Sequence, residues 1–265
     1  MGRLIDNEIA RIVRSAGDVL KDAFAETQTF REKERRHLVS KYDTIVNDML
    51  CSGLRRLHPD DTIFSEEAPE IKGTAGRKWI IDPIDGTTYF IMGEPYFSIS
   101  IACEVDGEIV EAHVYNPVTA DYYYADSATG TSVLNGCELR VSGIRDVRDS
   151  LVAFGFSADM KAINAYYSDW RSVFDGCRKG VGWICPALSI CNVARGRVEA
   201  FIDRGCSYEG QAAASLILKN AGGHCSNYDG SRYDHAAIGG VFTNGVIEIG
   251  RQGTGTPESA EPGSG

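Results

Sequence analysis

Two carboxylates three residues apart, Asp82 and Asp85, follow the apolar run Trp79-Ile80-Ile81 and lead into Gly86, Thr87 and Thr88. A strand that empties into paired acids suggests a cation, because an unpaired buried carboxylate costs several kcal/mol and a metal between the two offsets that cost. Gly86 lets the backbone come close to a ligand. Two further acidic segments stand at the ends of strand-like runs. Glu66 and Glu67 follow Thr62-Ile63-Phe64, and Asp203 and Glu209 follow Val198 to Ile202. Taken alone, Glu66-Glu67 reads as a solvated turn and Asp203 as an exposed strand-end acid. Likewise, Asp43 or Ser40 reads as the cap of a following helix.

The segment Asp82-Pro83-Ile84-Asp85-Gly86-Thr87-Thr88 resembles the signature of the inositol monophosphatase family, Asp-Pro-(Ile/Leu)-Asp-Gly-Thr-Thr. The Glu-Glu pair resembles the family's Gly-Glu-Glu, with Ser65 in place of the glycine. Tyr208-Glu209-Gly210-Gln211-Ala212-Ala213 is compared with Trp-Asp-x-Ala-(Ala/Gly)-Gly, which places Glu209 in the aspartate's position. The stretch from His37 to Asp43 is similar to the family's Thr-x-x-Asp.

This resemblance implies a metal set of Glu66, Asp82, the Ile84 carbonyl, Asp85 and Glu209, and catalytic roles for Glu66, Thr87 and Asp43. Asp43 would hydrogen-bond Thr87. Asp85, Gly86, Thr87, Thr88, Asp203 and Glu209 would contact substrate. These groups present oxygen, whereas a zinc or redox site would bring His or Cys, so Mg2+ is the implied cofactor, two or three ions per subunit. Mn2+ would substitute, and Ca2+ and Li+ would inhibit. The implied activity is hydrolysis of a small polyol, cyclitol or sugar phosphate by in-line attack of an activated water. The alternatives are a histidinol-phosphate or nucleotide-derived phosphate as substrate, or a catalytically weakened interaction protein, as some bacterial relatives serve in transcription complexes. The implied fold is the five-layer α-β-α-β-α sandwich of the inositol monophosphatase and fructose-1,6-bisphosphatase type, and a homodimer is expected.

Composition sets outer bounds. The 265 residues are 43% hydrophobic and 24% charged, enough for a substantial core in one domain over 1–251 with halves at 1–148 and 149–251. A formal charge of −10 disfavours a nucleic-acid partner, which needs clustered Lys and Arg, but not a small phosphate ester neutralised by metal. The eight cysteines show no C-x-x-C pair and read as reduced, mostly buried thiols. Neither an apolar signal core nor a spanning apolar run is present, so a cytoplasmic protein without a membrane partner is expected. The Gly-, Ser- and Pro-containing stretch 252–265 reads as a disordered tail.

The elements that must position these groups follow from periodicity. Ile9, Ile12, Val13, Ala16, Val19, Leu20 and Phe24 recur at helical spacing within 6–26, and a second helix is expected over 43–57. Between them, Phe30 to Ser40 reads as a mobile polar run, either solvated or closing over an anionic substrate. Asp106-Gly107 and Asn135-Gly136 mark hairpins, and Phe97 to Val105, Glu108 to Tyr115 and Tyr122 to Ala125 read as strands. In the second half a strand over 151–156 precedes a helix over 159–174. A helix starting at Pro186 runs to Ala194, and a last helix after Glu209 is capped by Gly222-Gly223.

Overall fold

A computed structural model describes residues 7–24, 30–34, 37–155 and 160–250. The first periodic segment forms α1 (Glu8–Phe24), which buries Ile9, Val13, Ala16 and Leu20 on one face. Two short strands, β1 (Phe30–Glu34) and β2 (His37–Ser40), pair antiparallel where a mobile polar run was expected. The charged sequence of that run hid its strand character. α2 (Lys41–Leu57) packs on α1, and Gly53 permits the approach: a Cβ there would stand 2.8 Å from Ile12 Cδ1.

The first sheet follows. It comprises β3 (Thr62–Ser65), β4 (Ala68–Ile71), β5 (Arg77–Asp85), β6 (Ser98–Val105), β7 (Glu108–Asn116), β8 (Asp121–Asp126), β9 (Thr131–Leu134) and β10 (Cys137–Glu138). Their spatial order is β10-β9-β8-β7-β6-β5-β3-β4, antiparallel except for the β3–β5 pair. Asp106 and Gly107, at φ of 52° and 79°, make the tight turn between β6 and β7. The short α3 (Thr87–Met92) leaves the end of β5.

The second sheet is smaller and mixed. β11 (Leu151–Phe154), β12 (Lys179–Gly182), β13 (Ala200–Asp203), β14 (His224–Asn227) and β15 (Gly240–Thr243) lie in the order β12-β11-β13-β15-β14, parallel on the first side and antiparallel on the other. The helix expected over 159–174 is two, α4 (Met160–Asp169) and α5 (Arg171–Gly176), because Trp170 leaves helical geometry at φ −116° and ψ 18°. α6 (Pro186–Ala194) and α7 (Tyr208–Asn220) complete the α-helices among the described residues. Residues 252–265, read as a disordered tail, lie outside the described residues.

Alternation along the strands sorts these elements into five layers. In β5, Trp79 and Ile81 face the cluster with α1 and α2, while Ile80 faces α6 and α7. In β11 and β13, Ala153 and Phe201 join that same middle layer, whereas Val152, Phe154, Ala200 and Ile202 pack on Tyr166 of α4, Val173 of α5 and Trp170 between them. The order is therefore α1/α2, first sheet, α6/α7, second sheet, α4/α5, which is the expected five-layer α/β sandwich. Tyr122 and Tyr123 point to opposite faces of the first sheet and serve its packing.

Candidate active site

Register decides where the two central acids point. Residues i and i+3 of a regular strand face opposite sides, yet Asp82 pairs with Ser100 and Asp85 with Ser98, so three steps on β5 match two on β6. One extra residue at Pro83-Ile84 forms a bulge, and proline is tolerated there because the ladder is already interrupted. Both carboxylates consequently lie on the face of Ile80, toward the middle helices, and are buried at 3% and 4% exposure.

The third acid arrives from the neighbouring parallel strand. Ser65 pairs with Ile81, and the Glu66 N–H continues the ladder to the Ile81 carbonyl at 3.2 Å, bringing Glu66 alongside Asp82. Ser65, in the family's glycine position, turns the other way and donates to Asn47 Oδ1 of α2 at 2.6 Å.

Asp43 performs both of the roles considered for it. Its Oδ2 accepts from the Ser40 N–H and the Ser40 hydroxyl, each at 2.7 Å, while Ser40 Oγ accepts from the Tyr42 N–H at 3.1 Å and caps α2. Its Oδ1 lies 3.3 Å from the Thr87 hydroxyl, which also stands 2.9 Å from the Ile84 carbonyl. Gly86, at φ 87°, makes the turn into α3, where the first helical bonds run from the Tyr89 and Phe90 N–H groups to the Gly86 carbonyl. The N–H groups of Gly86, Thr87 and Thr88 precede those bonds.

The second half supplies donors that the sequence reading passed over. Asp85 Oδ2 accepts from the Ala187 N–H at 2.7 Å and from Cys185 Sγ at 2.9 Å, placing it at the N-terminus of α6. Pro186 at the start of that helix was the available signal, since a helix start leaves N–H groups in need of acceptors. Asp203 is 6% exposed, so the exposed alternative does not hold. Its Oδ1 accepts from the N–H groups of Gly205 and Cys206 at 2.6 and 3.0 Å, and a Cβ on Gly155 would overlap its Oδ2. Glu209 is half-buried in the first turn of α7, and its carbonyl accepts from Ser100 Oγ at 3.3 Å.

The electrostatics follow from crowding acids in a dry place. Burial raises Asp82 well above the usual carboxylate range, and Glu66, Asp85, Glu209 and Asp43, in that order, push it further. Burial likewise lifts Asp85 to about 7 against the opposing bonds from Cys185 and Ala187, and lifts Asp43 and Asp203 each to about 6. A cation suits such a site. Among the described residues, no group of three or more His, Cys, Asp or Glu side chains is placed to hold a metal ion by itself. The donor set still fits magnesium in kind, because Mg2+ is bound by one or two carboxylates with water and phosphate oxygens completing its shell.

Comparison with known proteins matches residues 5–255 to the model of the inositol monophosphatase family. The chain belongs to this family. Among relatives, it is 33% identical over 234 residues to the Nus factor SuhB of Pseudomonas aeruginosa, covering 85% of this chain and 86% of that protein. It is 34% identical over 229 residues to an inositol-1-monophosphatase of Rhizobium meliloti, covering 84% and 85%. Among solved structures, the extragenic suppressor protein suhB of Bartonella henselae superposes with a TM-score of 0.85 at 26% identity, covering 90% of this chain and 92% of that one. The IMPase of Thermotoga maritima gives 0.80, also at 26% identity, over 89% and 90%. Membership of the inositol monophosphatase family thus agrees with the five-layer fold. No helix among the described residues is long and apolar enough to cross a membrane.

Proposed function

We propose that this chain is a magnesium-dependent phosphomonoesterase that hydrolyses a small polyol, cyclitol or sugar phosphate. The observation that carries this reading is the β5 bulge, which turns Asp82 and Asp85 to one buried face beside Glu66, where the leading charges acting on Asp82 are all negative. Glu66, Asp82, the Ile84 carbonyl and Asp85 would hold the metal, with Glu209 nearby. When bound, Mg2+ supplies neutralisation of the phosphate dianion, activation of water and stabilisation of the leaving alkoxide.

The remaining work falls to the chain's own groups. The Thr87 hydroxyl has one proton and two acceptors within reach, Asp43 Oδ1 and the Ile84 carbonyl. When the carbonyl serves elsewhere, Asp43 takes that proton and Thr87 Oγ is left to accept from, and so orient, the attacking water. Asp43 is fixed for this by its two bonds from Ser40. The N–H groups of Gly86, Thr87 and Thr88 would donate to phosphate oxygens, and Asp203 and Glu209 would border the alcohol. Release of inorganic phosphate from a panel of phosphate esters, with and without Mg2+, tests the reading. No Mg2+-dependent release from any ester, by protein shown to be folded, would sink it. A homodimer, a cytoplasmic location and inhibition by lithium belong to the same reading, the first checked by light scattering.

A second reading draws support from the relatives named Nus factor SuhB, which match at 29–33% identity. In it the chain is a phosphatase-fold interaction protein with weakened catalysis. The −10 charge weighs against direct contact with nucleic acid, so a protein partner is favoured. Calorimetry separates the two readings, since millimolar Mg2+ would not bind under the second.

A further inference from the structure

We propose that α7 addresses Asp85 through position 210 rather than 209, and that Gly210 withholds a side-chain ligand from a cation held at Asp82 and Asp85, so that this cation binds together with phosphate. The inference rests on the proposed phosphatase function and concerns the second of its metal positions. A Cβ built on Gly210 would stand 3.5 Å from Asp85 Oδ1, 3.4 Å from Ser207 Oγ and 3.7 Å from Pro186 Cβ. All three are ordinary van der Waals separations, so a Cβ fits there without displacing a neighbour. Asp85 Oδ2 is already engaged by Cys185 and Ala187, and the oxygen facing Gly210 is the other one.

Glu209 leaves the helix about 100° away from position 210. Its neighbour Tyr208 is drawn toward the first sheet, donating to Glu104 Oε2 at 2.6 Å with Lys78 Nζ 4.9 Å from its ring centroid and His235 stacked at 5.5 Å. This clamp fixes the rotation of the first turn of α7. The Ser207 cap fixes it from the other side, through the bond from the Gly210 N–H to Ser207 Oγ at 3.2 Å. Among the carboxylates acting on Asp85, Glu66 and Asp203 lead, while Glu209 acts on Asp82.

The motif admits the same answer. Compared one residue later with Trp-Asp-x-Ala-(Ala/Gly)-Gly, Gln211-Ala212-Ala213 supplies x-Ala-Ala, and Gly210 stands in the aspartate's place. The sequence reading took the earlier register, with Glu209 in the aspartate's place, and the direction of the Gly210 Cβ favours the later one. A bridging cation with two carboxylates must complete its oxygen shell from water and phosphate.

Calorimetry with Mn2+ alone tests this, with circular dichroism confirming the fold of each variant. The wild type is expected to bind one Mn2+ per chain, with any second ion at least tenfold weaker and strengthened by added inorganic phosphate. Gly210→Asp should tighten the second ion at least tenfold without phosphate, whereas Gly210→Ala, which adds the same Cβ without a carboxylate, should stay within twofold. Glu209→Gln should stay within threefold. Two comparably tight ions in the wild type, with the second lost in Glu209→Gln, would overturn the inference and leave the phosphatase reading standing. Binding by Gly210→Asp but not by the wild type would support the position 210 assignment while removing the phosphatase reading. No Mn2+ binding by either protein would remove both.

Discussion

The two sheets contribute to the site in different ways. The first delivers carboxylates as side chains, Glu66 from the end of β3 and Asp82 and Asp85 from the end of β5. The second sheet delivers helix starts, with α6 offering the Ala187 N–H and the Cys185 thiol to Asp85 and α7 presenting Gly210 to the same carboxylate. The central pair of charges comes from the first half, and the groups that orient Asp85 from the second. The difference teaches that Asp85 ties the two together at the site, since a carboxylate of the first half is held by donors of the second.

The sharpest break in that division is Asp85→Asn. The amide has about the same shape but no charge, so phosphate release should fall by about a hundredfold or more, together with Mn2+ affinity measured by calorimetry. Retained activity would show that charge from the first half is dispensable. Thr87→Ala should lower kcat by roughly ten- to a hundredfold with KM little changed, because the hydroxyl orients a nucleophile and does not hold the alcohol.

A pH series sharpens the comparison on the side of the second half. Burial lifts Asp203 from 3.8 to about 6 in the folded protein, so the native state binds its proton more tightly than the unfolded one. The stability this provides is complete below about pH 4 and is lost as pH rises through 6. Asp203→Asn keeps an oxygen for the Gly205 and Cys206 N–H groups. It should flatten the slope between pH 4 and 6 and raise the unfolding temperature at pH 7.5, an effect of roughly 2–3 kcal/mol in thermal unfolding. An unchanged slope would refute burial as the cause. Cys185→Ala, which removes the thiol link from the second half to Asp85, should cost about 1–2 kcal/mol in denaturant unfolding, and Cys185→Ser should restore most of it. Ser40→Ala, remote from the seam between the halves, should cost about 1 kcal/mol through loss of the α2 cap.

Much of the fold was legible because its signals are local. The helical period of α1, the Asp106-Gly107 turn, Pro186 at the start of α6 and Gly222 after α7 each specify backbone within a few residues. Some of the short strands were less so. β4, β12, β14 and β15 were not anticipated, because these four-residue strands show too little alternation to register a period. In the β1–β2 hairpin, charge hid the pairing.

For the site itself, the sequence by itself determined which acids exist and how they are spaced, and the Asp82-to-Thr88 motif sufficed to reach the family. Only the tertiary structure decided that Asp82 and Asp85 share a face, because the parity of a strand is reversed by a bulge that is defined by its partner β6. It also decided which residue of α7 meets Asp85. That contact joins positions far apart in the chain, and its geometry is set by helix rotation and packing between layers, which no spacing within either segment encodes.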